Sequence, residues 1–378
     1  MARPLNAVVI GGGIAGLTTA IALDRAGVGV DVYERVDSLG EIGAGISIWL
    51  NALRAFGEIG LADTIKSFSV PAGEAGLRTF DGRLLVGPRH TSLARRLEDV
   101  AVVMHRADLQ RVLVDAFGHG RVRLGKACVG VVQDDAGVSA TFADGHVARG
   151  DVLVGADGLH SAVRAALHGD RPPRYSGYTA WRGVVSFDHA KVLPGESWGP
   201  GRRFGQIPMS DGRVYWFATD NAPAGGRAAA GEKAELLRLF SGWHAPIEAL
   251  VEATADRAIL RNDIYDRPPL ARWGDRRITL VGDAAHPMTP NLGQGACQAI
   301  EDAVALARCL KGADDVVAAL RAYEASRIRR ANEIAEASRR VGMIGQIENR
   351  WAIAARNTFV RLIGGRLQAR AMARMIGT

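Results

Sequence analysis

The hydrophobic positions at the start of the chain follow two patterns, and both predict elements of an α/β fold. Residues 5–10 are apolar and β-branched and end at a glycine, which predicts a short buried strand. Residues 15–26 carry apolar side chains at helical spacing and precede Gly27, which predicts a helix that stops there. Residues 28–33 predict a second strand. Because strand–helix–strand units are right-handed, we expect a parallel sheet covered by helices.

Asp-Gly pairs between alternating segments mark the middle of the chain. They lie at residues 81–82, 144–145 and 211–212, and such a pair between two strands predicts a β-hairpin. Hairpins build antiparallel sheet, so a β-rich layer is expected inside the α/β scaffold. After a further buried strand in "RRITLVGDAAH", the pattern is helical almost to the end. The predicted fold class is therefore α/β, with a doubly wound parallel sheet, an inserted antiparallel β-sheet domain and C-terminal helices.

Length and charge narrow the classes of function. The 378 residues exceed what one compact core usually holds, so we expect two domains. A composition of 48% hydrophobic and 23% charged residues is typical of globular proteins. The net charge of +7 fits an anionic substrate or a phosphate-bearing cofactor as well as it fits nucleic acid. No basic run is interleaved with aromatic residues, so no nucleic-acid partner is expected.

Cysteine usage predicts a cytoplasmic protein. The three cysteines, Cys128, Cys297 and Cys309, are far apart and odd in number, which indicates reduced thiols. No CxxC, no HExxH and no cluster of His and Cys is present, so no metal is expected. The first residues lead into a glycine motif rather than a signal-peptide cleavage site, and no apolar run is long enough for integral membrane association.

The first glycine motif, "GGGIAG", follows the first predicted strand. Gly11, Gly13 and Gly16 fit G-x-G-x-x-G, in which the glycines allow a tight turn, close approach to a pyrophosphate and close packing of helix on strand. Glu34 ends the next strand, where a carboxylate can accept a hydrogen bond from a ribose hydroxyl. The motif alone has low specificity, but its setting of strand, helix, strand and acid predicts an ADP-containing dinucleotide.

Two further glycine sites follow predicted strands at residues 155–158 and 281–295. Taken alone, the site at 155–158 could be an Asp-Gly turn, and the site at 281–295 could be a capped helix with a proline-rich entry. Three sites exceed what NAD needs and suit the longer FAD. Asp283 would then serve the ribityl–pyrophosphate region. A helix beginning near 293–295 would aim its free N–H groups at the flavin ring, whose reduced form is negatively charged.

Six segments together resemble the single-component, class A FAD-dependent monooxygenases. They are "VVIGGGIAGLTTAIALDRAGVGVDVYER", "GAGISIWLNALRAFGEIGL", "HRADLQRVL", "LVGADGLHSAVR", "TAWRGVV" and "LVGDAAHPMTPNLGQGACQAIEDA". The resemblance is to the para-hydroxybenzoate hydroxylase group, and within it to the salicylate hydroxylase, urate hydroxylase and zeaxanthin epoxidase branch. The segments span roughly residues 5–310 in the family's order.

The resemblance implies both an architecture and a reaction. A discontinuous FAD-binding domain, a β-sheet substrate domain and a C-terminal helical segment are expected at 1–73, 98–175 and 270–330; at 74–97 and 176–269; and at 331–378. NADH or NADPH would bind transiently, without a second Rossmann domain, and reduce the flavin. Oxygen would then form a C4a-hydroperoxide that hydroxylates or epoxidises a small, aromatic or heteroaromatic substrate. The protein would act as a monomer or homodimer.

The resemblance also implies a set of cofactor-binding residues. They are Gly11, Gly13, Ala15, Gly16, Glu34, Arg35, Gly45, Ile46, Arg106, Asp157, Asp283, Pro290, Gly293 and Gly295. Gly45 and Ile46 would lie against the flavin ring edge, and Asp157 would serve the pyrophosphate side. Arg106 resembles the arginine that reaches the phosphate–ribityl region, although a surface helix arginine is the alternative. Pro287, counted with the catalytic residues, would frame the side where oxygen is activated.

Three further catalytic residues are expected in the substrate domain. Arg203 and Tyr215 lie twelve residues apart on a predicted hairpin, and the urate hydroxylase branch has an arginine and a tyrosine at this spacing that act on the substrate. The alternative is that Tyr215 and Trp216 are sheet aromatics on opposite faces and Arg203 is a solvated edge charge. Arg182 is a further residue expected to face the pocket. His286 is either a proton relay or a structural histidine.

Rival functions on the same fold stay open at this point. One is another FAD enzyme, such as a halogenase or prenyl reductase, although the Trp-x-Trp-x-Ile-Pro halogenase signature is missing. Another is a non-catalytic flavin scaffold or redox sensor. No G-x-S-x-G motif points to a hydrolase. The basic, amphipathic segment 350–377 is expected to pack across both domains with its arginines exposed, with binding to an anionic surface or partner as the alternative.

Overall fold

A computed structural model describes residues 5–40, 44–71, 75–87 and 101–364. The described helices are α1 (Ile14–Arg25), α2 (Leu50–Glu58), α3 (Ala62–Ser67), α4 (Arg106–Phe117), α5 (Ala162–His168), α6 (Glu232–Leu239), α7 (Ile247–Ala253), α8 (Gly295–Leu310), α9 (Val316–Gly345) and α10 (Arg350–Phe359). The described strands are β1 (Asn6–Ile10), β2 (Gly29–Tyr33), β3 (Gly45–Trp49), β4 (Val70–Pro71), β5 (Gly76–Thr79), β6 (Leu84–Val86), β7 (Ala101–His105), β8 (Val122–Arg123), β9 (Cys128–Gln133), β10 (Val138–Phe142), β11 (Val147–Gly150), β12 (Val152–Gly155), β13 (Arg174–Ser186), β14 (Gly195–Trp198), β15 (Arg202–Pro208), β16 (Arg213–Asn221), β17 (Leu260–Asp266) and β18 (Ile278–Leu280). The predicted fold class is confirmed.

A five-stranded parallel sheet forms the centre of the first layer, in the order β18-β12-β1-β2-β8. Its strands β1, β12 and β18 carry the three predicted glycine sites at their carboxyl ends. The register pairs Ile10 with Gly155, and Gly155 with Leu280. The three loops therefore leave the same edge of the sheet side by side, although about 270 residues separate the first loop from the last in the sequence.

Close packing between β1 and α1 depends on glycine at two positions. Gly11 has a φ of +110°, which L side chains rarely adopt. A Cβ atom at Gly16 would overlap the carbonyl oxygen of Gly11, so only glycine lets the helix lie this close to the strand. The observed helix begins and ends one residue earlier than the predicted one.

A seven-stranded sheet, in the order β17-β13-β16-β15-β14-β5-β6, forms the second layer. The predicted hairpins at 81–82 and 211–212 join β5 to β6 and β15 to β16 within it. The third predicted hairpin, at 144–145, joins β10 to β11 in a separate three-stranded sheet. That small sheet packs on the parallel layer, where the rings of Phe142 and Tyr33 stack at 4.6 Å. The antiparallel pairing is confirmed, but it is divided between two sheets.

The two faces of the seven-stranded sheet have different partners. One face is covered by α6 and α7, whose apolar residues pack on Trp181, Phe204 and Trp216. The other face turns Tyr215 toward Ala44, which precedes β3 in the first layer. This alternation is what period-two patterning produces in a strand. The second face and the loops of the parallel sheet therefore bound a common space.

The long helix α9 connects the two layers. Its Tyr323 hydroxyl donates to the carbonyl of Leu280 at the end of β18, at 3.0 Å. At its other end, the Gln346 amide donates to Gly201 O and to Asn221 Oδ1 in the seven-stranded sheet, at 3.1 and 2.8 Å. In the part of the chain that the structure describes, no helix combines the length and apolar character needed to cross a bilayer. The domain boundaries remain predictions.

Candidate active site

The glycine loop after β1 is organised by the acid that the sequence singles out. The Glu34 carboxylate accepts hydrogen bonds from the backbone N–H of Gly12 at 2.6 Å and of Val36 at 3.1 Å. Gly13 is exposed, and the space around its missing Cβ is open. Arg35 is exposed next to Glu34. The loop therefore leaves bare backbone where a phosphate can approach.

The helices that begin at this edge offer free N–H groups. Within the described residues, no side chain caps α1 at Gly13 or α8 at Gln294. Side chains cap α4, α5, α9 and α10, whereas α2, α3, α6 and α7 also begin without a side-chain cap. An uncapped N-terminus presents unpaired donors and partial positive charge, which is the environment an anionic group requires.

The loop between β18 and α8 is shaped by glycine. Gly293 has a φ of +61°, and a Cβ there would lie 3.2 Å from the indole nitrogen of Trp49. That nitrogen is buried and has no hydrogen-bond partner among the described residues. At Gly295, where α8 begins as predicted, the nearest atoms to an added Cβ are Met288 Cγ at 3.8 Å and Asp283 Oδ1 at 3.9 Å. The start of α8 is therefore open to a flat ligand.

Asp283 and Arg106 line a recess between the layers. Both side chains are exposed to solvent. Burial raises the pKa of Asp283, while His286 and Arg106 lower it. Burial lowers the pKa of Arg106, while Asp283 raises it and Arg182 lowers it. Arg182 lies on β13 of the second layer and influences Arg106, so both layers contribute to the wall of this recess.

The wall formed by the second layer carries an arginine–tyrosine pair. In the register of β13 and β16, Arg182 lies opposite Phe217 and Val184 opposite Tyr215, so Arg182 and Tyr215 share the face toward the first layer. Burial raises the pKa of Tyr215, while the positive charges of Arg182 and Arg106 lower it. Gly45 lies under the Tyr215 ring, where a Cβ atom would lie 2.6 Å from Cδ1. The pair can therefore hold an oxygen or nitrogen acceptor of a ligand from two directions.

Comparison with known proteins decides the family. Residues 5–338 match the protein family described as FAD binding domain. This chain belongs to that family. It is an FAD-dependent monooxygenase, as its relatives below are, and the resemblance inferred from its motifs is confirmed.

The relatives cover nearly the whole chain. It is 44% identical to aurachin C monooxygenase/isomerase of Stigmatella aurantiaca, over 98% of this chain and 97% of that protein. It is 38% identical to FAD-dependent urate hydroxylase of Klebsiella pneumoniae, over 87% of this chain and 88% of that protein. The crystal structure of Klebsiella pneumoniae HpxO with FAD and uric acid superposes with a TM-score of 0.90 at 36% identity, covering 98% of this chain and 96% of that one.

The predicted FAD residues of this monooxygenase lie along one edge of the parallel sheet and the recess beside it. Gly282 adjoins the first glycine loop, because a Cβ on it would lie 2.9 Å from the Ala15 Cβ. Ile46 is half-buried, Pro287 is buried and Pro290 is exposed on the α8 loop. These positions and the uncapped helices fit an elongated dinucleotide. The individual contacts to FAD remain predictions.

Asp157 has its carboxylate engaged within the protein. It accepts hydrogen bonds from Ser161 Oγ at 2.5 Å and from the backbone N–H of Ala162 at 2.7 Å, at the start of α5. These two donors lie four and five residues after Asp157, so the carboxylate helps to anchor the start of α5. Asp157 Oδ2 also accepts from the N–H of Val163 at 3.3 Å. The predicted role of Asp157 at the pyrophosphate stays a prediction, and it would need oxygen lone pairs beyond these three bonds.

Arg203 and Tyr215 face the same way, but the structure does not bring them together. Arg203 lies opposite Thr219, four residues along β16 from Tyr215. It is only 2% exposed, so its interpretation as a solvated edge charge is wrong. Its guanidinium donates to Asn291 at 2.6 Å, to Gln346 at 2.8 Å and to Glu196 at 3.2 Å. Arg203 therefore ties the α8 loop to the second layer and to α9.

A buried charge cluster under the α8 loop escapes the sequence analysis. Asp302 Oδ2 lies 2.5 Å from His286 Nε2 and accepts from the N–H of Gly282 at 3.0 Å, and Asp302 Oδ1 accepts from Arg327 Nε at 2.8 Å. Burial would raise the pKa of Asp302, but His286 and Arg327 lower it to about 2. His286 is thus packed against a carboxylate behind the loop. The sequence feature that could have predicted this cluster is Asp302 itself, because an acidic residue on the apolar face of α8 needs a buried partner.

Arg164 is a second residue that sequence reasoning misses. It is buried in α5, and its Nη1 donates to the carbonyls of Ala284 and Ala285 at 3.0 and 2.8 Å. Burial lowers its pKa to about 10. The second and third glycine sites are therefore joined by this arginine, which fixes the short helical turn that holds Asp283.

Proposed function

We propose that this monooxygenase hydroxylates or epoxidises a small aromatic or heteroaromatic substrate that carries a hydrogen-bond-accepting or anionic group. The observation that supports this most directly is the Arg182–Tyr215 pair on the wall of the recess, opposite Gly45 and the α8 loop. Two donors of fixed direction suit the oxygen or ring nitrogen of a planar ligand. The relatives named for urate and aurachin C support the same class of chemistry.

FAD would be held by the glycine loop and Glu34 at its ADP end, and by Arg106 and Asp283 farther along. The N-terminus of α8 would face its ring. When bound, FAD takes electrons from NADH or NADPH and activates O2 to deliver one oxygen atom to the substrate. The free N–H groups of α8 stabilise negative charge at the site because no side chain of the described residues caps them.

The chain's own residues would orient the substrate and keep water out. Arg182 would bind the acceptor group through its guanidinium N–H donors. Tyr215 would donate its hydroxyl proton rather than abstract one, because burial raises its pKa above the usual 10. Pro287 is buried, and the apolar residues Val184 and Ile207 pack beside Tyr215. Such a wall reduces the water that would otherwise divert the oxidising equivalent to hydrogen peroxide.

Substitution of the pair tests the proposal. We expect Tyr215→Phe and Arg182→Gln each to lower kcat/KM about 10- to 100-fold, since a hydrogen bond to a charged group contributes roughly 1.5–3 kcal/mol. FAD content should stay at the wild-type level. The measurement is substrate-stimulated NADH or NADPH oxidation over a panel of aromatic acids and heterocycles, with O2 and hydrogen peroxide followed together. Arg202→Gln is the matched control, because Arg202 pairs with Asp220 outside the recess at 2.7 Å.

Three outcomes would redirect the assignment. Full activity in both variants would remove Arg182 and Tyr215 from the substrate site. Substrate reduction without O2 consumption would favour a reductase, and yellow protein that never oxidises NADH or NADPH would favour a flavin scaffold. A cytoplasmic location and a monomeric or homodimeric state also remain proposals, which fractionation and sedimentation would measure.

A further inference from the structure

The C-terminal helix α10 turns its apolar face to solvent. Trp351 is 70% exposed and Phe359 is 54% exposed, while Leu362, in the π-helical turn Val360–Gly364 that follows, is 73% exposed. Separations of eight and three residues place these side chains within one apolar stripe. The turn packs against β6, whose Leu84 is 49% exposed and extends the same apolar surface.

The arginine in the middle of α10 faces the opposite way. Arg356 is 6% exposed, and its guanidinium lies 5.0 Å from the ring centroid of Trp198. It also donates to the carbonyls of Ile344 and Gly345 at 3.2 and 3.3 Å. A helix packed only on its own domain buries apolar residues and exposes its charges. Because α10 buries its central arginine and exposes Trp351 and Phe359, we infer that its outward face is built to meet another surface.

The charged side chains of the segment that carries this face are all arginines. Residues 349–378 contain six arginines and no aspartate or glutamate. Arg350 and Arg361 are exposed, and the Arg350 guanidinium lies over the Trp351 ring at 4.6 Å. The other arginines at 366, 370 and 374 lie outside the described residues. Arginine beside exposed tryptophan, phenylalanine and leucine is the composition of helices that lie at the boundary of anionic headgroups and acyl chains.

We propose that α10 docks this monooxygenase on an anionic phospholipid surface. Trp351, Phe359 and Leu362 enter the headgroup–acyl boundary, and the arginines contact lipid phosphates. A second copy of the chain is a poorer occupant, because a symmetric contact would set two arginine-rich, carboxylate-free segments against each other. Residues 365–378 contain no aspartate or glutamate side chain that could pair with Arg350 or Arg361.

Vesicle co-sedimentation of the full-length, FAD-loaded protein tests the proposal. We expect binding to vesicles of phosphatidylglycerol and phosphatidylcholine, and at least tenfold weaker binding to phosphatidylcholine alone. Raising the salt from about 0.1 M to about 0.5 M should also weaken binding, because the Debye length shortens. The variant Trp351→Ser with Phe359→Ser should bind roughly tenfold or more weakly, because aromatic side chains supply much of the buried apolar area. Its FAD absorbance and its rate with soluble substrate should not change.

The matched control removes two equally exposed apolar residues from another surface. Val129 and Val132 on β9 are 62% and 67% exposed, so Val129→Ser with Val132→Ser should bind vesicles like the wild type. Wild-type binding to neither vesicle, or equally to both, overturns the proposal. Equal loss in both double variants also overturns it. A dimer in sedimentation velocity that only the Trp351→Ser, Phe359→Ser variant loses, without vesicle binding, assigns the face to a second copy instead.

Discussion

Gly45 lies directly under the ring of Tyr215, and its replacement by alanine measures how tightly the recess is built. An added Cβ would overlap Tyr215 Cγ and would lie 2.6 Å from Cδ1 and 2.8 Å from the tyrosine Cβ. Nonbonded carbons in contact are about 3.5–4.0 Å apart. Either the ring or strand β3 must therefore move by roughly 1 Å.

Neither group can move freely. Tyr215 is 9% exposed and is packed with Ala44, Val103 and Met209, while β3 is paired along its length with β7. Overpacking of this kind costs about 1–3 kcal/mol of stability. The larger effect is expected in catalysis, because misplacing a positioning group by about 1 Å can cost about 100-fold in rate. We expect Gly45→Ala to retain FAD and to lose about 100-fold in kcat/KM.

The assay measures NADH or NADPH oxidation, O2 uptake and hydrogen peroxide release over substrate concentrations from well below KM to saturation. A displaced substrate should raise the fraction of reducing equivalents recovered as peroxide. Gly130→Ala is the control, because no heavy atom lies within 4 Å of a Cβ added at that strand position. If Gly45→Ala keeps kcat/KM within twofold of the wild type and releases no extra peroxide, the placement of Tyr215 at the substrate is refuted.

Three other substitutions or treatments have expected results. Asp302→Asn leaves His286 without its carboxylate and Arg327 with only that of Glu301, and should lower the free energy of unfolding in urea by about 3 kcal/mol. Because the pKa of Asp302 is lowered from 3.8 to about 2, its contribution is complete above the first value and is lost toward the second, so the variant's stability should fall less steeply in that range. Arg203→Met should cost a similar amount, since it removes a buried donor from three acceptors. Burial raises the pKa of Cys297 to about 12, so iodoacetamide at about pH 8 should label it only after unfolding, as mass spectrometry would show.

The Asp302 and Arg203 substitutions each have a matched control variant. Asp256→Asn removes an acid that is 79% exposed and should change stability by less than about 1 kcal/mol. Arg202→Met removes a half-exposed arginine of the same strand as Arg203 and should cost clearly less than Arg203→Met. Labelling of Cys297 in the native protein, or equal costs in either matched pair, would contradict the burial argument.

Most of the predicted cofactor site follows from local sequence motifs. The glycine loops could be predicted because each follows a short apolar strand, and parallel strands deliver their carboxyl ends to one edge. Glu34 could be predicted as a cofactor-binding residue because one helix and one strand fix its distance from the last glycine. The FAD assignment, the monooxygenase class and the fold are all confirmed.

The substrate wall was harder to predict because register decides it. A spacing of twelve residues suggested that Arg203 and Tyr215 act together, yet the turn at 211–212 sets Arg203 opposite Thr219. Counting outward from that turn would have shown the separation. The pairing of Tyr215 with Arg182 depends on the neighbouring strand β13, which the hairpin does not specify.

The charged cluster and the outward face of α10 lay beyond local patterns. Asp302 meets Arg327 only because α9 packs on α8, and nothing in either helix alone predicts that contact. The amphipathic character of α10 was clear, but the sequence could not tell which face turns inward. The structure buries Arg356 and exposes Trp351 and Phe359, so the expectation of outward arginines was wrong for the central arginine.

The uncapped starts of α1 and α8 would make the stability of the folded protein depend on bound FAD. FAD bound at these starts would accept hydrogen bonds from their free N–H groups, so its occupancy would add RT ln(1 + [FAD]/Kd) to the stability of the folded state. A cell short of riboflavin would consequently hold fewer copies of this polypeptide, because the empty form unfolds and is degraded more readily. Riboflavin supply would thus affect both the amount of the enzyme and the fraction of it that contains FAD.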